Sequence, residues 1–244
     1  MENQLSLLTS CEEQTPYEIN KTLVNRKEDI FIVSDFHIAE GRDNSGNFNG
    51  TENFMTDDVF VRFVNSLEMA NKTPKILVIN GDFIDFIRVR SVPDSEQDFK
   101  NWQGELAKLG IEKTIQDLQN GIDKKERTYG LKTHDYKTVW KLMKSRTGHP
   151  EFFNRLAQWL FDGNQLVIIK GNHDLEWHWL NVRHYLRNLL AEEISNENDI
   201  SIEEVYEKHI TDKVFFAENA LVVNDQIYIE HGHQYERTTW SCFW

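Results

Sequence analysis

The sequence predicts an α/β protein, and two observations lead to that prediction. Short apolar bursts rich in β-branched residues alternate with segments whose apolar residues recur every three or four positions. After Lys213 the alternation ends, and short strand-like runs follow one another directly. Buried parallel strands flanked by helices are the economical fold for the first pattern, while strands joined by turns suit the second.

The alternating part of the chain contains three predicted strands and two well-marked helices. The strands are predicted at Asp29–Ser34, Lys75–Asn80 and Gln165–Lys170. Helices are predicted at Asp57–Ala70, where an aspartate can cap the first turn, and at Pro150–Phe161, where the proline suits the first turn.

The last third of the chain begins with one more helix and then changes period. Apolar spacing predicts a helix over Glu176–Leu190. Three short strands are predicted at Val214–Phe216, Ala220–Val223 and Gln226–Glu230. Asn224 and Asp225 predict the turn between the last two strands.

Two stretches fit this scheme poorly. Residues 38–56 are rich in glycine and asparagine, which predicts a long loop. Residues 86–149 are polar and of mixed charge, with helices expected around Ser95–Leu118 and His134–Lys144. We expect one domain over 1–244 with 86–149 as a helical insertion. The insertion is either a solvated surface element, the interpretation we favour for most of its residues, or a lid, and its inner edge should border the site.

Composition narrows the class of protein. The 244 residues include 40 Asp and Glu against 27 Lys and Arg, a net charge of −13, and the 39% of hydrophobic residues can build a core. Such acidity disfavours a nucleic-acid partner but not a phosphate-handling enzyme, because bound cations can supply positive charge locally. Cys11 and Cys242 form no disulfide framework, and neither a secretory signal nor a membrane segment is recognised. These features predict a cytoplasmic protein.

Polar residues stand at the end of each main predicted strand. They are Asp35 and His37 after the first, Gly81 and Asp82 after the second, Gly171, Asn172, His173 and Asp174 after the third, and His231, Gly232 and His233 after the last. In an open parallel sheet, ligands bind beyond the carboxyl ends of the strands. We therefore expect these four clusters to meet in one crevice.

The residue types suit two divalent cations. Asp35 and Asp82 offer carboxylate oxygens, His37 and His231 offer imidazole nitrogens, and Asn172 offers an amide oxygen. Mixed oxygen and nitrogen ligation favours Mn, Fe or Zn over Mg or Ca. Each motif alone is also typical of an ordinary turn or a strand-end histidine, so the specificity comes from the ordered set.

The ordered set resembles the signature of the calcineurin-like metallophosphoesterase superfamily, over about Asp29 to Tyr235. The resemblance implies a two-sheet β-sandwich flanked by helices and a binuclear metal centre. It implies that Asp35 and His37 bind the first metal, that Asp82 bridges, and that Asn172 and His231 bind the second. It also gives His173 the role of stabilising the transition state or protonating the leaving oxygen, with Asp174 orienting it.

One element of the superfamily signature has no counterpart here. No Gly-His-x-His follows His231, and in Gly232–Tyr235 the tyrosine stands where the second histidine would be. By resemblance, each metal would lack one histidine ligand, so we expect weaker metal binding. We also expect that the chain is a truncated or frame-shifted version of a longer enzyme.

The predicted function is hydrolysis of a phosphate mono- or diester by attack of a metal-bound hydroxide. The substrate would be a phosphorylated small molecule or another phosphoester. Two alternatives stay open: a non-catalytic module of the same fold, or an inactive truncated product, acting through protein contacts. Nucleic-acid processing is a third class that the net charge disfavours. Arg42 lies within reach of a substrate phosphate, although solvation at the surface is the simpler interpretation.

Overall fold

The computed structural model describes residues 18–70 and 73–235. Its strands are β1 (Glu18–Leu23), β2 (Asp29–Val33), β3 (Lys75–Asn80), β4 (Gln165–Ile169), β5 (Val214–Val223) and β6 (Ile227–Glu230). Its helices are α1 (Asp57–Ala70), α2 (Glu96–Lys108), α3 (Ile115–Asn120), α4 (Lys124–Tyr129), α5 (Asp135–Gly148), α6 (Pro150–Phe161), α7 (Leu180–Asn198) and α8 (Ile202–Val205). Short 3₁₀ turns at Leu175–His178 and Gly232–Tyr235 and a π-helical turn at Tyr206–Ile210 complete the described elements. The α/β prediction is confirmed.

The strands form one mostly parallel sheet in the order β1-β5-β4-β3-β2, with β6 antiparallel to β5. Asn224 and Asp225 both have positive φ, 53° and 54°, which is the geometry of the predicted hairpin turn. This sheet is the only one in residues 18–70 and 73–235, so the two-sheet sandwich stays a prediction.

Two features of the sheet differ from the predicted elements. The runs Val214–Phe216 and Ala220–Val223 belong to one strand, β5, because the residues between them contain no glycine or proline and Ala217 pairs with Ile169. Strand β1, which pairs in parallel with β5, was not predicted. Its sequence, EINKTL, has few apolar residues to mark it.

Alternate residues of the central strands point to opposite faces of the sheet, as the two-residue period of a strand requires. Leu77 and Ile79 on β3 are fully buried in the larger hydrophobic cluster, which includes residues of the helices. Ile76 and Val78 are equally buried in a second cluster, together with residues of β1, β4, β5 and β6. Both faces of the central strands are therefore apolar, as expected for parallel strands.

Residues 86–149 contain helices α2 to α5, and these pack more deeply than their polar composition predicts. Trp102 and Leu106 on α2 and Val139 and Leu142 on α5 are fully buried in the same cluster as the strands. Few apolar residues are enough to bury one side of these helices, because they recur at helical spacing and form one continuous face. Within the described parts of the chain, no helix combines the length and the apolar character needed to cross a bilayer.

Candidate metal centre

The loops that follow β2 and β3 are joined by backbone hydrogen bonds at the edge of the sheet. The N–H of Asp35 donates to the carbonyl of Gly81 at 3.2 Å, and the N–H of His37 donates to the carbonyl of Asp82 at 2.9 Å. Asp35, His37 and Asp82 have φ values of 55°, 49° and 53°. Left-handed backbone at three non-glycine residues in one place is uncommon and typical of functional sites.

Asp35, Asp82 and His231 form one group of ligand atoms that lie within 4.8 Å of one another. His231 Nδ1 lies 2.8 Å from the carbonyl of Asn80, which can only accept, so Nδ1 carries a proton. Nε2 of His231 lies 3.5 Å from Asp82 Oδ2 and 3.3 Å from the side-chain oxygen of Asn172. The amide oxygen of Asn172 thus lies beside this group.

His37, Asp82 and His173 form a second such group. Nε2 of His37 lies 3.5 Å from Asp82 Oδ2 and 3.9 Å from Asp35 Oδ1. Asp82 is the residue that the two groups share. The grouping differs from the predicted one in one respect, because His173 lies with His37 and Asp35 lies with His231.

Asp85 is a central residue of the site that was not predicted. Its side chain is 1% exposed, and Oδ2 lies 3.2 Å from His37 Nδ1 and 3.1 Å from His173 Nδ1. The first contact is a hydrogen bond; the second lacks hydrogen-bond alignment and is electrostatic. A carboxylate at Nδ1 leaves Nε2 of each ring to face the crevice. The only signal for Asp85 is its spacing of three after Asp82, which a turn residue would share.

Asp174 does not occupy the position predicted for it beside the His173 ring, where Asp85 is found instead. The carboxylate of Asp174 is fully buried and accepts hydrogen bonds from the N–H of Gly171 at 2.6 Å, the N–H of Phe83 at 2.8 Å and Trp177 Nε1 at 2.9 Å. Burial raises the pKa of Asp174 to about 7. These contacts join the loop after β4 to the loop after β3.

Two glycines allow the loops that follow β3, β4 and β6 to approach one another. A Cβ at Gly81 would lie 2.4 Å from Cγ of His231, and a Cβ at Gly171 would lie 2.1 Å from Oδ1 of Asp82. Heavy atoms do not approach this closely without displacement, so any side chain at either position would push a proposed ligand aside. The glycines that precede Asp82 and Asn172 in the sequence motifs are therefore explained by this packing.

The electrostatics of the centre favour a bound cation. The carboxylate of Asp82, 3.5 Å from Nε2, raises the pKa of His231 to about 9. Burial alone would raise the pKa of Asp82, but the nearby His231 ring and the hydrogen bond from the N–H of His173 outweigh burial, and the pKa is lowered. Because metal ligands must be unprotonated, a cation at this position would replace the proton on Nε2 of His231. The clustered carboxylate and imidazole donors fit a divalent transition metal.

No protein-family model, curated protein or solved structure matches this chain. The interpretation of the site therefore depends on its own residues and their geometry.

Proposed function

We propose that this protein is a two-metal phosphoesterase of the calcineurin-like metallophosphoesterase type, acting on a phosphate mono- or diester. The observation that supports the proposal best is the position of Asp82 between two groups of ligand atoms, each of which includes a histidine. The proposal includes two Mn, Fe or Zn ions, the two-sheet sandwich of that superfamily and a phosphorylated small molecule or other phosphoester as substrate.

The proposed role of each residue follows from the chemical group that it carries. Asp35, His37, Asp82, Asn172 and His231 would hold the cations. When bound, two divalent cations would act as Lewis acids on the phosphoryl oxygens and lower the pKa of an attacking water. His173 would donate a proton or a hydrogen bond through Nε2 to the leaving oxygen, since Asp85 faces its Nδ1. The buried carboxylate of Asp85 would stabilise the protonated ring.

The experiment measures bound metal and hydrolysis on the same preparations. We expect about two equivalents of Mn²⁺ per chain and hydrolysis of an aryl phosphate ester. Asp82→Asn should lose Mn²⁺ binding and hydrolysis together, because Asp82 belongs to each of the two groups of ligand atoms. Asp58→Asn is the matched control, since Asp58 is an exposed carboxylate on α1 that pairs only with Arg62 among the described residues.

A second variant separates chemistry from metal binding. His173→Ala should keep its metal and lose about 10²- to 10⁴-fold in kcat, the usual contribution of a proton-transfer residue. Absence of bound metal under saturating Mn²⁺ would instead favour the non-catalytic module. Bound metal with unchanged activity in His173→Ala would remove His173 from the proposed role.

A further inference from the structure

Arg88 lies beside the candidate metal centre and was not assigned a role from the sequence. Nε of Arg88 lies 2.9 Å from Oδ2 of Asp85, the same oxygen that faces His37 and His173. Among the described arginines and lysines, Arg88 is the one whose charged group contacts Asp85. Its guanidinium is therefore separated from both imidazoles by a single carboxylate oxygen.

The position of Arg88 is fixed by its own backbone as well as by the ion pair. The N–H of Arg88 donates to the carbonyl of Asp85 at 3.0 Å and to Oδ1 of Asp85 at 3.2 Å. The side chain is nevertheless 41% exposed, whereas that of Asp85 is 1% exposed. Nε of the guanidinium thus faces a buried anion, while the side chain as a whole remains partly accessible.

The terminal nitrogens of Arg88 have no hydrogen-bond partner in the described part of the chain. Arg42, considered for phosphate binding from the sequence, is engaged by its own loop. Its Nη1 donates to the carbonyl of Gly46 at 2.8 Å, and its guanidinium lies 3.8 Å from the centroid of the Phe48 ring. Arg88 is therefore the better candidate for a phosphate ligand.

We infer that Arg88 binds the phosphoryl group of the substrate and favours phosphate monoesters over diesters. The inference rests on the proposed phosphoesterase function. The planar fork of a guanidinium matches the oxygens of a phosphate. A monoester dianion has three non-bridging oxygens, so one remains for Arg88 when the other two face the cations, while a diester has only two. Asp85 holds the guanidinium in place, which reduces the entropy lost on binding.

The test measures binding of inorganic phosphate by calorimetry, together with hydrolysis of an aryl phosphate monoester and the matching diester, in the presence of Mn²⁺. Arg88→Gln removes the cation and Arg88→Lys keeps a charge without the planar fork. Arg90→Gln is the matched control, because Arg90 is an exposed arginine two positions further along the same segment. Bound Mn²⁺ is measured for every variant.

We expect Arg88→Gln to weaken phosphate binding and raise the KM of the monoester by about 10- to 100-fold, the loss of a charge-assisted hydrogen bond. Arg88→Lys should be intermediate, Arg90→Gln should resemble the wild type, and the KM of the diester should change much less. Bound Mn²⁺ should be unchanged in all three variants.

Three results would overturn the inference. The first is identical behaviour of Arg88→Gln and Arg90→Gln. The second is loss of Mn²⁺ in both Arg88 variants, which would mean that Arg88 acts through Asp85 on His37, and the third is an equal effect on monoester and diester, which would remove the selectivity. Failure of the proposed function looks different. A wild-type protein that binds phosphate through Arg88 and hydrolyses neither ester would retain the phosphate site and lose the phosphoesterase assignment.

Discussion

Backbone strain is concentrated in the residues proposed to bind metal. Left-handed conformations at Asp35, His37 and Asp82 each cost on the order of 1 kcal/mol. The strain is opposed by hydrogen bonds between the two loops, such as that from the N–H of His37 to the carbonyl of Asp82. The side chains of Asp35, His37 and Asp82 are thereby held close to one another at the edge of the sheet.

A substitution at Gly171 would test how tightly the loop after β4 packs against Asp82. Gly171→Ala would place a Cβ 2.5 Å from the backbone nitrogen of Asp82 as well as against its carboxylate. We expect an about 10- to 100-fold loss of Mn²⁺ affinity, comparable to the loss of an outer-shell contact, measured by competition with a metal-binding dye. The displaced loop should also destabilise the fold by about 1–3 kcal/mol in urea unfolding.

Gly104→Ala is the matched control, because Gly104 lies in α2 with open space where the Cβ would be. Alanine at a helix interior should raise the free energy of unfolding by about 0.5–1 kcal/mol without changing metal affinity. If both alanine variants bound Mn²⁺ like the wild type, the close approach of the loop after β4 to Asp82 would not matter for the centre.

At the scale of elements, helix α6 supports the centre through a group of aromatic rings. Phe152 on α6 is fully buried and stacks on Phe60 of α1 with ring centroids 3.8 Å apart. The same ring makes edge contact with Phe36, which lies between Asp35 and His37, and a tilted contact with Phe83, which follows Asp82. The loops after β2 and β3 therefore pack against a helix that contributes none of the proposed ligands.

Removing that ring should affect both stability and the centre. Phe152→Ala should lower the free energy of unfolding by about 3–5 kcal/mol, because a fully buried aromatic ring leaves a cavity. It should also weaken Mn²⁺ binding in the fraction that remains folded. Phe161→Ala, at the partly exposed end of the same helix, is the control and should cost clearly less. Equal losses in urea unfolding for the two variants would contradict the supporting role of Phe152.

The elements predictable from the sequence are those whose signal is local. Helices α1 and α6 and strand β3 have the predicted bounds, because the apolar pattern that marks each element lies within its own segment. Asp85 and Arg88 carry no such signal. Asp85 meets His173 only when the loop after β4 reaches the loop after β3, and these two residues are far apart in the chain. Strand β1 likewise depends on a long-range partner, β5.

At the scale of the whole molecule, a buried ionic group joins three distant segments. Nε2 of His149 lies 2.9 Å from Glu52 and Nδ1 lies 2.8 Å from Asp57, so both nitrogens face acceptors and the ring is an imidazolium. Glu52 also accepts hydrogen bonds from the N–H groups of Ala39 at 3.0 Å and Gly41 at 2.7 Å, just after the proposed ligand His37. This group connects the long loop to the starts of α1 and α6.

His149 therefore predicts how the stability of the fold depends on pH. Burial alone would lower its pKa, but the hydrogen bonds to Asp57 and Glu52 outweigh burial and raise the pKa from 6.5 to about 9. A raised pKa means that the folded state holds the proton more tightly, so the stabilisation is complete below pH 6.5 and is lost as the pH rises to about 9. The loss should be about 3 kcal/mol in the free energy of unfolding.

His149→Gln cannot carry the charge, so it should be less stable than the wild type at neutral pH, and the difference in urea unfolding should shrink as the pH rises to about 9. A difference that stays constant over this range would mean that His149 is neutral in the fold.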